Sequence, residues 1–228
     1  MFAGLLAAVL AVNILLCSSD IPTKQRHKQK CEKSSMSENL PRRLVMPSTL
    51  GYLVLCDTKT DGGGWSLIMR RCVGDVNFTR PWSDYRDGFG TFEGDFWQGL
   101  EQVHQLTNNG EWELRVDMKF KGRDYYANYK TFKVDNQRNY YTLRVGQFFG
   151  NVGGDLTFHN GMKFSTTDTL TNKICSQKYH GGWWFHNCHS TYLTGEWGSK
   201  IWAKGVHWDS LSTSDENLDS AEMKIRRL

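Results

Sequence analysis

Four prolines in 228 residues are few, and the chain has no internal repeat, no heptad pattern and no Gly-x-y period. Those absences leave no sequence basis for a coiled-coil or collagen stalk. The longest apolar run, Phe2 to Leu16, is short for a bilayer-spanning helix, so no membrane segment is expected. No charge of one sign dominates: 28 Lys and Arg against 24 Asp and Glu leave a formal +4. Basic residues cluster only in KQRHKQK (24 to 30) and the terminal KIRR (224 to 227), both read as solvated surface or linker, and no nucleic-acid footprint stands out. CxxC and HxxxH spacings are absent as well, which removes the commonest zinc signatures.

Aromatics and glycine are abundant. Nine Trp, nine Tyr, twelve Phe and 22 Gly suggest short strands and tight turns around bulky side chains. With 39% hydrophobic and 23% charged residues, the composition is that of a globular protein with a sizeable core.

The apolar start ends in Cys17-Ser18-Ser19, a small-x-small pattern suited to signal cleavage near Ser19; a lipid on Cys17 is the alternative. The expected organisation is a signal peptide over 1–19, a basic linker over 20–30 and one domain over 31–228. Secretion makes disulfides the natural state of Cys31, Cys56, Cys72, Cys175 and Cys188, and five leaves one over. The single sequon, Asn77-Phe78-Thr79, is a glycan acceptor in the same compartment.

Asp95 followed by FWQGLEQVHQL predicts a helix capped by Asp95 and stopped at TNNG (107 to 110), with Gly99 inside it. EWELRVDMKF (111 to 120) alternates strictly, with Trp112, Leu114, Val116, Met118 and Phe120 on one face, and predicts a half-buried strand. YYANYKTFKV (125 to 134) and NYYTLRVGQF (139 to 148), parted by a DNQR turn, extend this into an antiparallel sheet. Beyond about Gly150 the pattern becomes irregular, as binding segments often are.

Within that region, KYHGGWWFHNCHS (178 to 190) gathers His180, His186, Cys188 and His189. A zinc site is disfavoured because the adjacent residues 188 and 189 do not easily face one tetrahedral ion. A Cys-His nucleophile would need a reduced thiol, which a secreted protein does not favour. Neither enzyme reading is supported.

CDTKTDGGGWSLIMRR (56 to 71), YRDGFGTFEGDFWQGLEQVHQLTNNGEWELRVD (85 to 117), FHNGMKFST (158 to 166), GGWWFHNCHSTYLTGEWG (181 to 198) and AEMKIRR (221 to 227) together resemble the fibrinogen C-terminal domain, with likeness to molluscan fibrinogen-related proteins and to ficolin- and tachylectin-type lectins. The resemblance implies an α+β domain: a disulfide-tied N-terminal part, a twisted antiparallel central sheet with flanking helices, and a loop-rich C-terminal part with a calcium site and a ligand pocket. It implies a non-catalytic module. It implies disulfides Cys31–Cys56 and Cys175–Cys188, leaving Cys72 as a buried free thiol or the link of a covalent dimer. It implies a cis Asn187–Cys188 bond aiming the N–H groups of Cys188 and His189 at an acetyl carbonyl. The corresponding pocket residues are Tyr179, His189, Trp202 and Ala203, with Phe185 and Trp197 nearby; alternatively Trp183, Trp184 and Phe185 are simply core.

Two positions depart from the family pattern. Ser214 stands where a tyrosine closes the pocket, which predicts a more open, more polar site. Leu170 replaces a carboxylate of the calcium loop, leaving Asp168 and Asn172 as remnants and predicting weak or absent calcium binding. The expected function is secreted recognition of acetylated carbohydrates such as N-acetylglucosamine on microbial or parasite surfaces in innate defence. The alternative is a module that binds a protein or receptor without sugar.

Overall fold

The computed structural model describes residues 42–45 and 51–228. The signal peptide, the lipid alternative at Cys17, the basic linker and Cys31 lie outside the described residues.

The described residues form eleven strands, three α-helices and three short 3-10 helices. β1 (Arg42–Val45), β2 (Val54–Asp57) and β3 (Trp65–Arg71) precede helix α1 (Trp82–Asp87). Next come β4 (Phe89–Gly90), β5 (Phe96–Trp97), helix α2 (Leu100–Thr107), β6 (Trp112–Phe120), β7 (Arg123–Val134) and β8 (Leu143–Gly150). Helix α3 (Lys173–Tyr179), β9 (Thr191–Tyr192), β10 (His207–Trp208) and β11 (Ser220–Arg227) complete it. The main sheet runs β1-β2-β3-β11-β6-β7-β8, with β5 on β3 and β4 on β5, and every pairing is antiparallel. This is the expected α+β architecture.

The C-terminal strand lies at the centre, between β3 and β6. The KIRR segment is therefore not the solvated surface that its charge suggested. Lys224 is buried and its Nζ lies 2.9 Å from Asp57, 2.8 Å from Asp117 and 3.2 Å from Glu222. Arg226 Nε donates to Glu113 at 2.7 Å. The same pairs correct the half-buried reading of β6: its apolar face points into the core as expected, but Glu113 and Asp117 on the other face are buried too, against the cations of β11.

The helix expected from Asp95 begins later. Phe96–Trp97 pair with β3 and β4 as β5, and Gly99 at φ 105° turns the backbone into α2. A left-handed φ of that size suits glycine alone, so Gly99 starts the helix rather than weakening it. Asp95 is fully buried and caps a different segment: its carboxylate accepts N–H groups of Cys72, Val73 and Gly74 at 2.7, 3.0 and 3.2 Å and faces Arg71 Nε at 3.3 Å. Arg71 in turn donates to the carbonyls of Leu193 and Gly195, tying β3 to the irregular C-terminal region.

Cys175 and Cys188 form a disulfide with Cα atoms 5.3 Å apart. Cys56 and Cys72 are each disulfide-bonded, to partners outside the described residues. Cys72 is thus neither a free thiol nor available for a covalent dimer, because its sulfur is already paired.

Candidate functional site

α3 and the segment 180–193 form the site. Cys175 on α3 ties the helix to Cys188, and Asn172, just before the helix, donates its amide to the carbonyls of Phe185 (2.8 Å) and His186 (2.7 Å). These bonds hold the His186–His189 turn over the end of α3. The Asn187–Cys188 bond is trans, contrary to the expectation of a cis bond: the turn closes through the His186 N–H donating to the Cys188 carbonyl at 2.9 Å.

His189 occupies an aromatic cradle. Its ring stacks on Tyr192 (4.9 Å between centroids, 17° between planes) and meets the edge of Tyr179 at 4.3 Å, with Phe185 behind at 6.1 Å and His207 at 4.9 Å. Both ring nitrogens are shielded, and among the described residues neither has a partner at normal hydrogen-bond geometry, the Ala203 backbone making only a weak contact. Burial, then the neighbouring His207, His159 and Lys178, lower the His189 pKa to about 3, although the nearby Ala203 backbone opposes the shift. The imidazole is therefore neutral at ordinary pH and offers one donor and one acceptor. The N–H groups of Cys188 and His189 likewise lack an acceptor among the described residues. Unused donors beside apolar ring faces can hold a small amide or acetyl group.

The other expected residues fall into place around this cradle unequally. Tyr179 and Phe185 are buried, and Phe185 lies with Trp183 and Trp184 in the core, so it backs the cradle rather than facing solvent. Asn187 is exposed on the turn. Trp202 is 64% exposed with the Lys178 ammonium 5.7 Å from its ring, and Ala203, at φ 60°, donates its N–H to the Ser214 carbonyl at 2.6 Å. Ser214 thus contributes backbone to the rim, where a tyrosine ring would have covered it. Trp197 packs against Gly74 and Arg71, not the cradle.

Sequence reading missed three residues. Tyr192 supplies the stacking face. His207 sits against His189, its Nδ1 3.1 Å from the Gly205 carbonyl. His159 lies fully buried under the loop: Nδ1 donates to the Trp184 carbonyl at 2.7 Å, and Nε2 accepts N–H groups from Ser190 (3.3 Å) and Thr191 (3.4 Å). Its place in FHNGMKFST was the one available signal, but nothing in that string shows which loop it supports.

The Asp168 and Asn172 side chains both make hydrogen bonds within the fold. The Asp168 carboxylate accepts the Trp82 N–H (3.0 and 3.2 Å) and the Thr166 hydroxyl (2.6 Å), anchoring the start of α1. Asn172 spends its amide on the loop as described, its backbone carbonyl accepts the Ser176 N–H, and Leu170 is 87% exposed. Among the described residues no group of three His, Cys, Asp or Glu side chains is placed to share a metal ion. That finding covers His180, His186 and His189, while the disulfide removes Cys188 as thiolate ligand or nucleophile. Asn77 is exposed, with its Oδ1 accepting the Thr79 N–H at 2.8 Å.

The sequence profile of the C-terminal globular domain of the fibrinogen beta and gamma chains matches residues 24–228. The protein belongs to the fibrinogen C-terminal domain family. Human tenascin-R is 42% identical over 178 residues, 76% of this sequence but 13% of tenascin-R; human fibrinogen C domain-containing protein 1 is 40% identical over 188 residues, 77% of this sequence and 41% of that protein. The match therefore spans a minor part of these relatives. The fibrinogen-like globe domain of human ANGPTL2 superposes with a TM-score of 0.76 at 36% identity, covering 84% of this protein and 94% of that domain. Lamprey fibrin D-dimer, solved with the peptide ligand Gly-His-Arg-Pro-amide, gives 0.73 at 28% identity over 81% of this protein and 68% of that one.

Proposed function

We propose that this fibrinogen-like domain is a secreted, non-catalytic recognition module that holds acetylated carbohydrates of the N-acetylglucosamine type, on microbial or parasite surfaces, at the His189 cradle. The observation that carries the reading is the neutral His189 ring, neither nitrogen partnered at normal hydrogen-bond geometry among the described residues, beside the free N–H groups of Cys188 and His189. An acetamido group supplies a carbonyl for these N–H groups and a methyl for the aromatic surroundings of His189. Cysteines that are all paired among the described residues suit an oxidising, extracellular compartment and make a glycan at Asn77 compatible with it. Binding is proposed to be independent of calcium, since Leu170 stands where the family pattern has a ligand carboxylate. One shallow cradle binds weakly, so surface recognition requires several copies acting through effective concentration.

The competing reading, capture of a protein or receptor, draws on the lamprey relative solved with a peptide and on the open rim at Ser214. Chromatography on N-acetylglucosamine agarose separates the two. Retention released by free sugar, unaffected by chelator and lost in His189→Ala supports the lectin reading; passage through the column with capture of a protein partner favours the other.

A further inference from the structure

A groove of about 830 Å³ opens where the start of α1, the outer side of α2 and the turn after β7 meet the Asp168–Leu170 loop. None of its lining residues belongs to the His189 cradle. One wall is aromatic: Trp82 and Tyr140 have centroids 6.3 Å apart and planes at 68°, presenting two faces at an angle. Leu170, the exposed residue that replaces a family carboxylate, adds an apolar edge.

The polar lining is of two kinds. Fixed acceptors come from Glu101 and Asp168. Glu101 is held by the Tyr141 hydroxyl at 2.6 Å and the Gln105 amide at 3.1 Å, and Asp168 by Trp82 and Thr166 as described; each carboxylate keeps lone pairs to spare. His104 Nδ1 donates to the Val134 carbonyl at 2.9 Å, which leaves Nε2 without a partner among the described residues. Uncommitted donors come from Asn136, whose Oδ1 caps the Asn139 N–H and whose amide hydrogens remain, and from Gln137 and Arg138, whose side chains have no partner among the described residues.

We propose that this groove is a second ligand site, which takes a short neutral oligosaccharide. Rigid acceptors next to free donors, with aromatic faces between them, match a ring whose hydroxyls both donate and accept while its C–H face lies on an aromatic plane. Both carboxylates are already hydrogen-bonded and the Arg138 guanidinium offsets part of their charge, so the groove does not call for a strongly cationic ligand. Its volume is in the range of ligand-binding clefts. A second sugar contact would add to the hold of each copy on a repetitive glycan surface. The proposal does not depend on acetyl binding at His189.

The test is a ¹⁵N-correlation NMR titration of the full-length protein bearing His189→Ala, which silences the cradle, with laminaritriose, cellotriose and maltotriose as probes. The expected result is a saturable shift of the Trp82 indole and the Asn136 and Gln137 amide signals with at least one sugar. That shift should weaken five-fold or more in Gln137→Ala and in Tyr140→Asn, the latter chosen because asparagine tolerates the left-handed φ of 51° at that position. No shift of these signals with any of the three sugars at tens of millimolar, ~10⁴-fold weaker than micromolar binding, overturns the proposal. A shift produced by a lysine-rich or aromatic tetrapeptide and by none of the sugars overturns it too, in favour of a peptide groove. Absence of groove shifts alongside retained acetyl binding in the unmutated protein leaves the His189 reading standing, so the two failures are distinguishable.

Discussion

His189 combines two properties that seldom coincide: its nitrogens are shielded from water, yet among the described residues neither has a partner at normal hydrogen-bond geometry. Leaving buried polar groups unpaired costs about 1–3 kcal/mol each, which a ligand can recover. His189→Ala should therefore abolish sugar retention while melting within a few degrees of the parent. Because the folded pKa is about 3, binding should be flat from pH 8 to about pH 5, checked by titration calorimetry across that span. A loss of binding centred near pH 6.5, the ordinary imidazole value, would show that His189 is solvated and not held in the cradle. His159 acts one layer below. His159→Phe keeps the ring but strands the Ser190 and Thr191 N–H groups, and should destabilise the fold by about 2 kcal/mol or more in urea denaturation.

At the level of elements, the sequence was readable where one periodicity ruled and unreadable where distant partners decided. The alternation of 111–120 identified β6, but the burial of its polar face could not be read from it, since Lys224 and Arg226 lie more than a hundred residues away. Asp95 and Gly99 look like a helix cap and a helix flaw; pairing of Phe96–Trp97 with β3 gives them other roles. At the site, the GGWWFHNCHS segment carried most of the signal, whereas Tyr192, His159 and His207 become part of the cradle only through tertiary packing. Two predictions belong here. Replacing both Cys175 and Cys188 by Ser opens a 13-residue loop and should cost about 3 kcal/mol, with loss of binding before unfolding as the temperature rises. Asp168→Ala removes the acceptor at the start of α1 and should lower stability by about 1 kcal/mol without any calcium-dependent change in melting.

For the molecule as a whole, the central sheet is stitched by charge. Burial alone would raise the Asp57 pKa and lower that of Lys224, yet each holds the other charged: Lys224 and Thr60 keep Asp57 well below the carboxylate range, and Glu222, Asp117 and Asp57 keep Lys224 well above its own. Lys224→Met would take the buried cation from Asp57 and one of the partners of Asp117 and Glu222, and should cost about 3–5 kcal/mol. The acid limb has two stages. His159, with a folded pKa lowered to about 4 by burial, binds its proton mainly after unfolding, so up to about 3 kcal/mol is lost as pH falls from about 6.5 to about 4. Asp57, with a depressed folded pKa, stabilises above its unfolded value near 4 and adds a further loss below it. Urea midpoints at pH 7.5, 5.5 and 4 should fall in order; equal midpoints would contradict this.

The cradle remains the central claim, and calorimetric titration of N-acetylglucosamine against glucose tests it most directly, using the parent protein and His189→Ala side by side. The account predicts heat of binding for the acetylated sugar alone, unchanged by chelator and absent in the variant. Equal affinity for both sugars, or N-acetylglucosamine binding that survives the loss of His189, would contradict it.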